Sequence, residues 1–151
     1  MTEVVYLKGD LFKSRCDILV NPVNCRSTMG AGLALAFKTA YAGTSMFGFY
    51  LEACRTKELA IGRPILWDGK EYGYPSVLLF TTKDDWRHPS RIKYITSGLM
   101  AMAHMDFQGS SMAFPMLGSG LGGLDYVTQV KPSMDALLPL LTTLSRIEVY
   151  E

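Results

Sequence analysis

Two amide side chains and two glycine-rich stretches are the parts of this sequence best equipped for chemistry. Asn21 and Asn24 flank Pro22 and Val23 in NPVNCRSTMGAGLALAFKTAY, residues 21–41. Asparagines beside a buried strand usually tie down backbone, and one of this pair is expected to do only that. The other is available to hydrogen-bond ribose hydroxyls. Gly30 and Gly32 follow and allow close backbone approach. The helix start after them presents unpaired N–H groups that suit an anion. The second stretch, LGSGLGGL at 117–124, has four glycines in six positions: Gly118, Gly120, Gly122 and Gly123. Successive N–H groups there can form a nest around a phosphate. A single loop of this kind reads as readily as a tight turn. Two of them, each after an apolar strand, favour a diphosphate clamped from both sides.

Neither loop is a standard nucleotide fingerprint. No Gly-Lys-Ser/Thr follows the second, and no G-x-G-x-x-G stands near the first strand, so a dehydrogenase fragment is not supported. Asp10, after YLKG, could accept from an adenine amino group; taken alone, it reads as a turn or cap. Trp86 can stack an extruded base and Arg87 can hold a phosphate. Trp86 serves equally well as a core residue capping the sheet. Arg91 and Lys93 form either a small basic edge or a solvated helix face. His88 and His104 share no motif; His88 reads as a solvated loop residue and His104 as part of a helix. Lys83 lies in TKDD, where spacing alone makes it an exposed turn lysine beside Asp84 and Asp85.

Strands must carry these groups. EVVYLKGD reads as a first strand, and DILVN, a short apolar run, as a buried one. From Gly30 the spacing becomes helical, with Leu33, Phe37 and Tyr41 on one face. TSMFGFYLEACRT forms a second helix with Thr44 or Ser45 as cap, although Gly48 weakens it. RPILWD and SVLLF are further strands. A helix then starts at Ser90 with Ile92, Ile95, Leu99 and Met102 on one face. SMAFPM precedes the second loop, a last helix carries Met134 to Leu144 with a kink or break at Pro139, and RIEVY closes as a strand. Alternating strands and helices imply a mainly parallel sheet covered on both faces. Ligands in such folds sit beyond the carboxyl ends of strands, where both loops fall.

Length and composition set the frame. The chain has 151 residues, enough for one domain with a real core, and a net charge of +1. A protein that grips nucleic acid mainly by phosphate neutralisation is more basic, so any such contact is local. Cys16, Cys25 and Cys54 lack a C-x-x-C pair and read as reduced thiols, without zinc or disulfides. No membrane span or signal peptide is visible, so a cytoplasmic location is expected.

Taken together, GDLFKSRCDILVNPVNCRSTMGAGLALAFK and FPMLGSGLGGLD resemble the macrodomain family of ADP-ribose-binding modules. The resemblance spans nearly the whole chain, with residues 1–151 as one macrodomain. It implies a three-layer α/β/α fold with a mixed, mainly parallel central sheet. It places Asp10 and Leu11 at adenine, and Asn24 and Asn21 at the distal ribose. Met29, Gly30, Ala31 and Gly32 from loop one would enclose the diphosphate with Leu117, Gly118, Ser119, Gly120, Leu121, Gly122 and Gly123 from loop two. Thr82 joins the same set.

Within the family, LLFTTKDDWRHPSRIKYI is similar to the F-x-T-K-x-x-W pattern of the DarG antitoxin macrodomains, which remove ADP-ribose from thymine in DNA. The resemblance makes Lys83 catalytic, with Asn24, and needs no cofactor. Related protein-directed glycohydrolases use the same lysine but carry an aspartate where this chain has Gly122. Pro22, Cys25 and Ser119 depart from the usual residues. The DarG antitoxin is longer, with a toxin-binding domain, so a free-standing monomeric macrodomain is expected here. The implied partners are ADP-ribose and thymidine-linked ADP-ribosylated DNA. The alternatives are a non-catalytic ADP-ribose reader or sink, and a hydrolase of ADP-ribose-1″-phosphate or of protein-linked ADP-ribose.

Overall fold

A computed structural model describes residues 2–151. Six strands form one sheet: β1 (Glu3–Leu7), β2 (Ile18–Asn24), β3 (Ile65–Trp67), β4 (Ser76–Lys83), β5 (Ser111–Phe114) and β6 (Arg146–Tyr150). Their spatial order is β1-β6-β5-β2-β4-β3. All neighbours are parallel except β3, which runs antiparallel to β4 at the edge. The helices are α1 (Gly32–Ala40), α2 (Met46–Thr56), α3 (Ile92–Met102) and α4 (Lys131–Leu137).

The period-two alternation of strands sends side chains to two cores. Ile18 and Val20 of β2, with Leu78 and Phe80 of β4, pack under Ile95, Leu99 and Met102 of α3 and Met134 of α4. Leu19 and Val23, with Val77 and Leu79, pack under Phe37 of α1 and Met46, Tyr50 and Ala53 of α2. The result is the expected α/β/α sandwich. Gly98 brings α3 onto the sheet: a Cβ there would run into the Phe80 ring. Burying a side chain such as Phe80 stabilises the fold by roughly 1.5–3 kcal/mol.

Several boundaries differ from expectation. β2 does not end at Asn21 but runs through Pro22 and Val23 to Asn24, and β4 continues to Lys83. Both asparagines and the lysine therefore sit on strands, where the sheet fixes their direction. Helix α3 begins at Ile92, with Ser90 and Arg91 outside it, and His104 lies in the turn after it. The cap of α2 falls where expected, at Ser45, but the hydroxyl that accepts from Met46 N, at 3.2 Å, is that of Thr44, while Ser45 Oγ accepts from Trp67 Nε1 at 3.1 Å. The last helix does break at Pro139, as expected: α4 ends at Leu137 and a single 3₁₀ turn at Leu138–Leu140 holds the proline, while a wide turn at Tyr126–Val130 precedes α4. Leu141 and Leu144 lie beyond it and are still buried. Among the described residues no helix is long and apolar enough to cross a membrane.

Candidate active site

A cleft of about 780 Å³ opens above the carboxyl ends of β2, β4, β5 and β6. Its floor includes Pro22, Val23 and Asn24 from β2 and Thr82 and Lys83 from β4. One wall is Thr28 and residues 30–34; the other is Pro115, Met116 and residues 118–122, with Trp86 and Tyr150 also lining it. Its size suits a nucleotide-sized ligand.

The centre is built by a break in the β2–β4 ladder. Val23 pairs with Thr81, but Asn24 pairs with Lys83, so Thr82 is an extra residue. Such an irregularity re-aims side chains, and here both Thr82 and Lys83 line the cleft. Lys83 Nζ lies 3.5 Å from the Trp86 carbonyl oxygen. Among the described residues no carboxylate lies within 4 Å of it. The neighbouring aspartates are engaged by arginines instead. Asp84 meets Arg26 at 3.7 Å, and Asp85 meets Arg26 at 3.8 Å and Arg87 at 2.6 Å. Hydrogen bonds from the Arg87 side chain and backbone hold the Asp85 carboxyl well below its usual range. Lys83 is thus not the neutralised turn lysine that its spacing suggests.

Asn24 organises loop one. Its Nδ2 donates to Thr28 O at 2.8 Å and its Oδ1 accepts from Arg26 N at 2.8 Å. The Tyr50 hydroxyl lies 2.8 Å from Asn24 O and 3.0 Å from Asn24 Oδ1, and accepts from Thr28 N at 3.2 Å. Nδ2 carries a second hydrogen, so Asn24 can brace the loop and still donate into the cleft. Asn21 is fully buried, with Nδ2 3.9 Å from Met29 Sδ and Oδ1 unpartnered among the described residues. Cys25, next to Asn24 in the chain, is no ready nucleophile, since burial pushes its thiol up to about 11. Among the described residues no group of three or more His, Cys, Asp or Glu is arranged to hold a metal.

The glycine loops meet across the cleft. Gly32 has φ +59°, which favours glycine there, and a Cβ on it would lie 3.0 Å from Leu121 Cδ1 of the opposite loop. At Gly122 a Cβ would run into the Gly118 carbonyl oxygen and Ser90 Oγ. Ser90 N donates to Gly122 O at 2.9 Å, fixing loop two to the start of α3.

The structure therefore brings together Asn24, Gly30, Ala31, Gly32, Thr82, Lys83, Trp86, Gly118, Ser119, Gly120, Leu121 and Gly122. It does not bring the rest of the expected set to the cleft wall. Leu11, Met29 and Leu117 are buried, and Asn21 is enclosed beside Met29. Asp10 caps a 3₁₀ turn, its Oδ1 accepting from Phe12 N at 2.9 Å. Gly123 lies just beyond the lining, and Arg87 is folded onto Asp85. Trp86 is 55% exposed, which removes the core reading. Sequence reasoning missed Tyr150, Met116 and Thr28. Tyr150 ends β6 and Met116 follows β5, so the rule that ligands sit beyond strand ends carried the signal for both.

This arrangement, an α/β/α sandwich with two glycine loops facing each other over the strand ends, has known counterparts. Residues 20–131 match the Macro domain family, and the chain belongs to it. It is 40% identical over 126 residues, 82% of its length, to the DNA ADP-ribosyl glycohydrolase of Mycobacterium tuberculosis, of which it spans 35%. The macrodomain of Mycobacterium tuberculosis DarG superposes with a TM-score of 0.88 at 32% identity, covering 100% of this chain and 99% of that one. Thermosipho africanus DarTG in complex with ADP-ribose gives a TM-score of 0.85 at 32% identity, covering 97% of this chain and 41% of that one.

Proposed function

We propose that the cleft binds ADP-ribose and that the protein hydrolyses the bond joining ADP-ribose to thymine in DNA. The observation that carries this reading is the pairing of Asn24 with Lys83 at the strand ends, between two glycine loops and without a carboxylate on the lysine. The similar glycohydrolase and the similar structure holding ADP-ribose support it.

In this reading the loop amides at residues 30–32 and 118–122 hold the diphosphate, and Asn24 Nδ2 donates to the distal ribose. Cleavage adds water across the bond: hydroxide goes to the anomeric carbon and a proton to the thymine nitrogen. Negative charge develops on the departing base, and the Lys83 ammonium lies where it can stabilise that charge. Trp86 offers an exposed ring at the rim for the unstacked base. Gly122 supplies no carboxylate, and the loop as built has no room for one. That favours DNA over protein-linked ADP-ribose. Removing the group from DNA would give the protein an antitoxin-like role.

The test is incubation with an oligonucleotide bearing ADP-ribosylated thymidine, followed by mass analysis of the DNA. Unmodified DNA and free ADP-ribose are expected. Tight binding without product would make the protein a reader, and turnover of ADP-ribose-1″-phosphate alone would move it to another hydrolase class.

A further inference from the structure

A second depression, of about 330 Å³, is lined by Asp84, His88, Pro89, Arg91 and Tyr94. It borders the segment that follows β4 and carries Trp86 in the main cleft: Asp84 follows Lys83, the last residue of β4, directly, and His88 is two residues past Trp86. Three different donors line it without a protein acceptor among the described residues. The Arg91 guanidinium is in no ion pair among the described residues, and neither the His88 ring nor the Tyr94 hydroxyl has a hydrogen-bond partner among them. The one acid in the depression, Asp84, meets Arg26 at 3.7 Å. Asp85, behind the same loop, is held by Arg87 and Arg26. Both nearby carboxylates thus have cationic partners, while Arg91 is left over.

We infer that this depression is a phosphodiester subsite for the DNA strand flanking the modified thymidine. A single-stranded substrate must continue away from the base that sits at Lys83, and only the loop at residues 84–88 separates that base from the depression. The guanidinium, the ring N–H and the phenol are each suited to phosphate oxygens, which accept but cannot donate. The net charge of only +1 makes a local contact of this kind the way for the chain to hold a polyanion. Arg91 and His88 thereby set a preference for oligonucleotide over isolated nucleoside adducts. The inference rests on the reading of DNA as substrate.

The experiment compares two substrates, ADP-ribosylated thymidine nucleoside and a single-stranded oligothymidylate with one ADP-ribosylated residue at its centre. The readout is the ratio of their kcat/KM values. Wild type should favour the oligonucleotide, and the double variant His88→Ala, Arg91→Ala should lower that ratio by about tenfold and reduce the salt dependence of oligonucleotide turnover. Lys93→Ala removes an exposed charge from α3, outside the depression, and should leave the ratio within about twofold, as an uninvolved surface charge would. An unchanged ratio in the double variant, or an equal fall in Lys93→Ala, overturns the subsite.

A second measurement separates this inference from the proposed function. If wild type cleaves neither substrate, the glycohydrolase reading fails, and fluorescence anisotropy of a labelled, unmodified oligothymidylate then decides the subsite. Weaker binding by the double variant keeps it; equal binding removes it.

Discussion

Asn24 and Lys83 are register partners across β2 and β4, and the ladder skips Thr82 to make them so. An amide that braces loop one and an ammonium with no carboxylate partner among the described residues thereby share one rigid floor. Precision of this kind comes from strands more readily than from loops.

Replacing Lys83 by alanine should separate binding from chemistry. ADP-ribose affinity measured by calorimetry should stay within about threefold, while release of ADP-ribose from modified oligonucleotide should fall by roughly 100-fold or more, as when a group acting mainly in the transition state is removed. Full activity in this variant would remove Lys83 from the mechanism.

Tyr50 lies outside the cleft lining but holds loop one through Asn24 and Thr28. Tyr50→Phe keeps the packing and strands those partners in a buried setting, at a cost of about 1–3 kcal/mol. Thermal unfolding should show a lowered midpoint, and calorimetry should show weaker ADP-ribose binding. An unchanged midpoint together with unchanged affinity would show that the hydroxyl network does not brace the loop.

Two glycines of loop two should answer differently to alanine. A Cβ on Gly120 meets nothing within 4 Å, whereas one on Gly122 collides with Gly118 O and Ser90 Oγ. Gly122→Ala should destabilise by about 1–3 kcal/mol, a drop of several degrees in midpoint for a chain of this size. Gly120→Ala should melt with wild type. Equal melting of the two variants would show that the loop relaxes freely.

Acid should act through Glu148. Burial works against its ionisation, but hydrogen bonds from Tyr150, Ser14 and Arg146 outweigh it and bring the carboxyl from 4.5 to about 2. A folded value below the unfolded one means stability that is present above pH 4.5 and lost as pH falls toward 2. Denaturant titrations of Glu148→Gln should therefore show a shallower loss across that window than wild type. Parallel acid limbs would count against the assignment.

Much of the sheet was legible because apolar runs and turn residues punctuate it. RIEVY and ILV each became the strands that their patterns imply. The extension of β2 was hidden by Pro22, which reads as a strand breaker yet pairs in register with Phe80 in the middle of the sheet. The break in the final helix was legible from Pro139 itself, even though Met134, Leu138 and Leu141 keep helical spacing and stay buried across it. Both glycine loops were readable from composition alone. Their clasp at Leu121 and Gly32 was not, since it joins residues distant in sequence and leaves no local pattern.

That clasp also ties the two rims together. Gly32 opens α1 and Leu121 belongs to the opposite loop, yet a Cβ on the glycine would lie 3.0 Å from Leu121 Cδ1. A side chain added at position 32 would therefore be felt on the far bank, and a bulkier one at 121 would be felt at the head of the helix. The two sides of the cleft cannot be altered independently at this point.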